Sequence, residues 1–147
     1  MSLTIRALLT SLALFATLVL SAQTSPYDVK VGNPLRKIIL NTIRTPSEAE
    51  LGQKVEFLVS NVRAKGNWVF INGMLQQPGG AAIDLNKMVD SGYLEAAQAG
   101  VFDHNFQALL QKKKGKWVIL ERALGCTDVC WLAWMEKKGV PKSVFPD

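Results

Sequence analysis

Two stretches of this chain follow one pattern. Lys65-Gly66-Asn67-Trp68-Val69-Phe70-Ile71 and Lys114-Gly115-Lys116-Trp117-Val118-Ile119-Leu120 both read Lys-Gly-x-Trp-Val and then two apolar residues. A Lys-Gly pair suits a tight turn, and the β-branched and aromatic residues behind it suit a pleated, half-covered surface. Each copy is therefore a turn that feeds a strand opening on tryptophan. The runs 55–64 and 106–110 supply the preceding strands, so the chain contains two β-hairpins. Gln77-Pro78-Gly79-Gly80 closes the first of them sharply. Phe57 and Val59 share one face of their strand, as do Trp68 and Phe70 of the next, and that face is expected to meet a helix.

The helix comes first in the chain. Asn33 offers an N-cap and Pro34 suits the first helical position, where a missing N–H costs nothing. Leu35, Ile38, Ile39, Thr42 and Ile43 then fall on one stripe, with Arg36, Lys37, Asn41 and Arg44 elsewhere. Thr45-Pro46-Ser47-Glu48 reads as a fresh capping box that starts a second short turn, ended by Gly52. Between the hairpins, residues 81–104 form a long connection, within which Ser91 can cap a short helix stopped by Gly100. Past Gly125, Thr127 or Asp128 can cap a last helix with Trp131, Trp134, Met135 and Lys138 on one side. Gly139 and Pro141 end it, and Val144-Phe145-Pro146 is expected to pack back as an apolar clip.

The N-terminus carries a different signal. Arg6 precedes an uncharged apolar run at 7–20, about 14 residues long where roughly 20 are needed to span a bilayer, which is the length of an export signal's apolar region. Residues 1–22 are read as a signal peptide, 23–32 as the arm of the mature chain and 33–147 as one domain. At 147 residues, 48% hydrophobic and 20% charged, the chain has room for one ordinary core. Gln23 stands where a lipidated cysteine would follow Leu20-Ser21-Ala22, so no lipid anchor is expected. The mature protein should be soluble in the periplasm or secreted, with no membrane span. Removing Arg6 leaves 16 of the 17 basic residues against 12 acids, a mild excess suited to weak contact with anionic envelope polymers and not to nucleic acid.

An N-terminal helix followed by two antiparallel hairpins, with Gly115-Lys116-Trp117-Val118 opening the last strand, resembles the cystatin-like and nuclear-transport-factor-like α+β folds. Gly125-Cys126-Thr127-Asp128 running into a Trp-containing segment resembles, within that group, small exported bacterial proteins of unknown function. The resemblance implies an N-terminal amphipathic helix packed on a curved four-stranded antiparallel sheet made of two hairpins, plus a short C-terminal helix. It implies no catalytic residues. The Gln-x-Val-x-Gly wedge of cystatin inhibitors is incomplete here, because Gln53-Lys54-Val55-Glu56-Phe57 lacks the glycine.

Few residues offer chemistry. His104 is the one imidazole, so acid–base work by histidine falls to it, with Asp84, Asp90, Glu95 or Asp128 as a partner from elsewhere. Asp103 is adjacent and points to the opposite side of a strand. No metal or other cofactor is expected, since a single histidine without Cys/His spacing does not make a zinc site. In an exported chain Cys126 and Cys130 most simply form a disulfide, their Cα atoms falling within the roughly 4.4–6.8 Å a bridge accepts if a helix starts between them. Trp68, Trp117, Trp131 and Trp134 line either a core or a ligand pocket. Both hairpin turns of a meander lie at one end of the sheet, so Arg63, Lys65, Lys112, Lys113, Lys114 and Lys116 form a basic end able to bind anions. The function expected is a non-catalytic exported domain that engages a partner protein or small ligand between sheet and helix. The alternatives are a small isomerase, dehydratase or hydrolase using His104, or an inhibitor or immunity protein of the envelope.

Overall fold

The computed structural model describes residues 25–127 and 129–146. The signal segment 1–22 and the Asp128 cap lie outside the described residues. The elements run β1 (Tyr27–Asp28), α1 (Pro34–Leu51), β2 (Glu56–Lys65), β3 (Trp68–Gln76), α2 (Ser91–Gln98), β4 (Asn105–Lys113) and β5 (Lys116–Leu124). Three short 3-10 helices, Leu85–Lys87, Cys130–Glu136 and Lys142–Val144, complete the described chain. The five strands pair antiparallel in chain order.

The two repeated motifs make the hairpins. Lys65 pairs with Trp68 and Lys113 with Lys116, leaving two-residue loops. Gly66 sits at φ 54, and Lys114 and Gly115 at φ 49 and 78, the left-handed conformations that such loops need to match the twist of their strands. Asn33 caps α1 through the Leu35 amide, and Gly52 ends it at φ 65.

Pro46 does not restart the helix. α1 runs unbroken through it, and the Thr42 carbonyl forgoes its amide partner there. Glu48 closes no capping box. It accepts instead from the Lys54 ammonium at 2.7 Å and the Val55 amide at 3.2 Å. The buried stripe is Ile39, Ile43, Ser47 and Leu51, one residue every helical turn, and Ile38 stays exposed.

The sheet differs from the expected curved four-stranded one. It has five strands, and it is flat. The added strand comes from the arm: Tyr27 and Asp28 pair with Ala64 and Arg63, and the Val29 amide reaches the Val62 carbonyl at 2.8 Å. The free edge of β2 offers unpaired amides and carbonyls to any passing backbone, and two residues are too few to show a period.

Both faces of the sheet are covered. Val69, Ile71, Ala108 and Leu110 meet Ile39, Ile43 and Leu51 of α1 on one face. Phe70 and Leu109, between them in sequence, meet Trp134, Val144 and Phe145 on the other. A cone that opens onto a cavity needs one uncovered face, and a sheet packed between two layers has none. Thus Phe57 and Val59 face α1 as expected, but Trp68 and Phe70 face away from it.

The C-terminal segment is a 3-10 helix and not an α-helix. It begins after Val129 with no side-chain cap; Gln107, buried within the sheet, accepts from the Trp131 amide at 3.2 Å. The clip Val144-Phe145 is among the most buried parts of the molecule, at 0% and 1% exposure. Phe145 stacks on Trp131 with ring centres 5.6 Å apart and lies 5.1 Å from Phe70.

Candidate site at the lysine-rich end of the sheet

The register puts both hairpin turns at one end of the sheet. The Lys112 amide donates to the Asn67 carbonyl at 2.8 Å, which joins the two turns directly. The six basic residues expected there divide into two groups. Arg63 donates to the Phe145 carbonyl at 3.2 Å and Lys65 to the Ser143 hydroxyl at 2.9 Å, so these two hold the C-terminal clip on the sheet. Lys112, Lys113, Lys114 and Lys116 are exposed, and none has a carboxylate within ion-pair distance among the described residues.

The four tryptophans do not share a pocket. Trp117 packs with the α1 core, whereas Trp68, Trp131 and Trp134 belong to the opposite face. On that second face, beside the lysine-rich end, a cleft of about 490 Å³ opens between the sheet and the segment after the last tryptophan. Half-buried Trp68 lines it with Gln111, Lys113, Glu121, Lys137 and Lys138. Glu121 pairs with Lys137 at 2.5 Å, which leaves Lys113 and Lys138 as its uncompensated charges. The lysine-rich end was legible from the turns. The part played by Lys137 and Lys138 was not, because it depends on how the chain beyond the disulfide crosses the sheet.

The other candidates are engaged otherwise. The ring of His104 stands edge-on to Phe102 at 6.2 Å, and its buried Nδ1 has no hydrogen-bond partner among the described residues. Two of the acids proposed to serve it are used locally: Asp90 caps α2, and Asp84 caps the turn at Leu85 and pairs with Lys87 at 3.8 Å. Asp128 lies outside the described residues, and Asp103, the sequence neighbour, accepts from the His104 backbone amide. The expected ligand space between α1 and the sheet is filled by Ile39, Ile43, Val69 and Ile71, each at most 1% exposed. A cleft of about 600 Å³ along the outside of α1 is flanked by Arg36 and Arg44, but they donate to the Val29 and Val55 carbonyls. Cys126 and Cys130 are bridged, with Cα atoms 6.5 Å apart.

One polar cluster escaped the sequence reading. Arg122 of β5 reaches Glu50 at 2.5 Å and the fully buried Ser47 hydroxyl at 3.1 Å, and Ser47 donates to the Ile43 carbonyl. Burial, followed by the charge of Glu50, holds the Tyr93 phenol above its ordinary value against the opposing Arg122. This cluster ties α1, α2 and β5 together. Only Ser47 and Glu50, three apart on one helix, were close in sequence.

Among the described residues no group of three or more His, Cys, Asp or Glu could hold a metal ion, and no helix is long and apolar enough to cross a membrane. No protein-family model matches the chain, and no curated protein or solved structure matches it either.

Proposed function

We propose that this chain is an exported, non-catalytic binding domain that docks through its lysine-rich end onto an anionic polymer of the cell envelope. The observation that carries the reading is the set of Lys112, Lys113, Lys114 and Lys116, exposed and without acid partners among the described residues, on one hairpin turn that a backbone hydrogen bond ties to the other. Lysines at a hairpin tip keep the sheet end soluble, but four of them within five residues also repel one another by Coulomb's law. Such a cluster matches a ligand with a repeating negative charge. Export is supported by the apolar run at 7–20 and by a disulfide of the kind that persists in oxidising compartments.

The test is equilibrium binding of the mature chain to inorganic polyphosphate at several salt concentrations, alongside a variant with all four lysines changed to glutamine. Affinity should fall as salt rises, and the variant should lose most of it. Equal binding by the variant would remove the reading. Export is checked separately by sequencing the N-terminus of protein expressed with its leader, which should begin near Gln23.

A further inference from the structure

Resting on that docking reading, we infer that the cleft beside Trp68 is a subsite for a sugar unit carrying an anionic group. Docking to charge alone needs lysines on a surface and no aromatic. Here alternation along β3 and β4 turns Trp68, Gln111 and Lys113 to the same side of the sheet, as Trp68 pairs with Gln111 and Lys113 lies two residues further on. The indole is only half-buried, one part packed in the second core and the rest on the cleft.

An indole in that position is a flat apolar shelf. A pyranose ring presents a face of C–H groups that loses water readily against such a shelf, while its hydroxyl edge needs polar partners. Gln111 supplies both a donor and an acceptor at the shelf's edge. Lys113 and Lys138 supply the charge that selects an acidic sugar over a neutral one, and the Glu121–Lys137 pair adds none. The cleft volume of about 490 Å³ suits one or two sugar units. Lys113 belongs both to the second turn and to the cleft, so a polymer held at that turn can reach the cleft. The anionic group is a carboxylate or a phosphate.

The experiment compares four probes by calorimetry: an oligogalacturonate, a phosphorylated mannan oligosaccharide, a neutral glucan oligosaccharide and inorganic polyphosphate. Trp68→Ala should weaken whichever acidic oligosaccharide binds by about tenfold, a clearly larger factor than its effect on polyphosphate. Lys113→Gln combined with Lys138→Gln should weaken both acidic classes. The better of the two acidic oligosaccharides identifies the anionic group. Because Trp68 also packs in the second core, the wild-type Trp68 indole N–H resonance is followed as well, and it should shift with the acidic oligosaccharide and not with polyphosphate. If polyphosphate binds but the acidic sugars show neither Trp68 dependence nor an indole shift, the subsite is wrong and the docking reading stands. Neutral glucan binding as tightly as the acidic sugars would also overturn the subsite. Should no anionic probe bind, both readings fall together.

Discussion

The Lys112 amide donates to the Asn67 carbonyl at 2.8 Å, across the gap between two hairpin turns that lie 45 residues apart in the chain. One backbone bond thereby fixes the position of the second turn relative to the first. The turn itself requires left-handed residues, with Lys114 at φ 49 and Gly115 at φ 78. Gly115→Val should therefore cost about 1–2 kcal/mol by urea denaturation, as a β-branched residue is forced into that region. It should also weaken polyphosphate binding although no charge is removed.

The Cys126–Cys130 bridge closes a loop four residues long. On the chain-entropy estimate so short a loop contributes about 2 kcal/mol. Replacing both cysteines with serine should lower stability by that amount and loosen the start of the Cys130–Glu136 helix, which has no side-chain cap of its own. Intact-mass analysis of exported protein should find no free thiol. Two alkylatable thiols would contradict both the bridge and the oxidising compartment.

Arg122 and Glu50 leave only 12% and 31% of their side chains exposed, and breaking such a pair strands the surviving charge. Arg122→Ala should cost about 2–3 kcal/mol, less than for a wholly buried pair because Glu50 retains some water. The same cluster sets Tyr93. Its phenol is held above 10.0 by burial first and Glu50 second, so Glu50→Gln should lower its titration midpoint without returning it to 10.0. An ultraviolet pH titration reads this directly.

Glu48 gives the acid limb of stability. Burial raises its pKa, but the Lys54 hydrogen bond, the Val55 amide and the charges of Lys54 and Arg44 together outweigh burial and bring it below 4.5. A carboxylate with a lower pKa folded than unfolded contributes stability above its unfolded pKa, and loses it as pH falls through the folded value. Glu48→Gln should therefore be less stable than the parent at neutral pH, by at most about 1 kcal/mol for a pair with one exposed partner. The difference should close as pH drops below 4.5. A constant difference across that range would place the effect elsewhere.

The strands and turns could be read in the sequence because their signals are local. Lys-Gly-x-Trp-Val combines turn chemistry and β-propensity within seven residues, and Asn33-Pro34 and Gly52 mark the ends of α1 by the same kind of short-range rule. Pro46 misled because its cost is a single lost hydrogen bond, and the packing of Ile43, Ser47 and Leu51 on both sides of it outweighs that cost. Phe106 to Leu110 are buried without a break, although Gln107 interrupts the apolar run in sequence. Five consecutive buried residues in a strand mean that both faces are covered, and this forbids an open cone. Which layer covers the second face was not legible, because the Arg63 and Lys65 contacts to Phe145 and Ser143 join positions about 80 apart. The candidate cleft depends on that layer, so only its Trp68 and Lys113 could be named from sequence.

The most direct test of the docking account is amide chemical-shift mapping of the isotope-labelled mature chain during titration with inorganic polyphosphate. Shifts should concentrate at Gly66, Asn67 and the second turn from Lys112 to Lys116, and should fade as salt is added. Shifts centred instead on the outer side of α1 around Arg36 and Arg44, or spread evenly over all lysines, would contradict it.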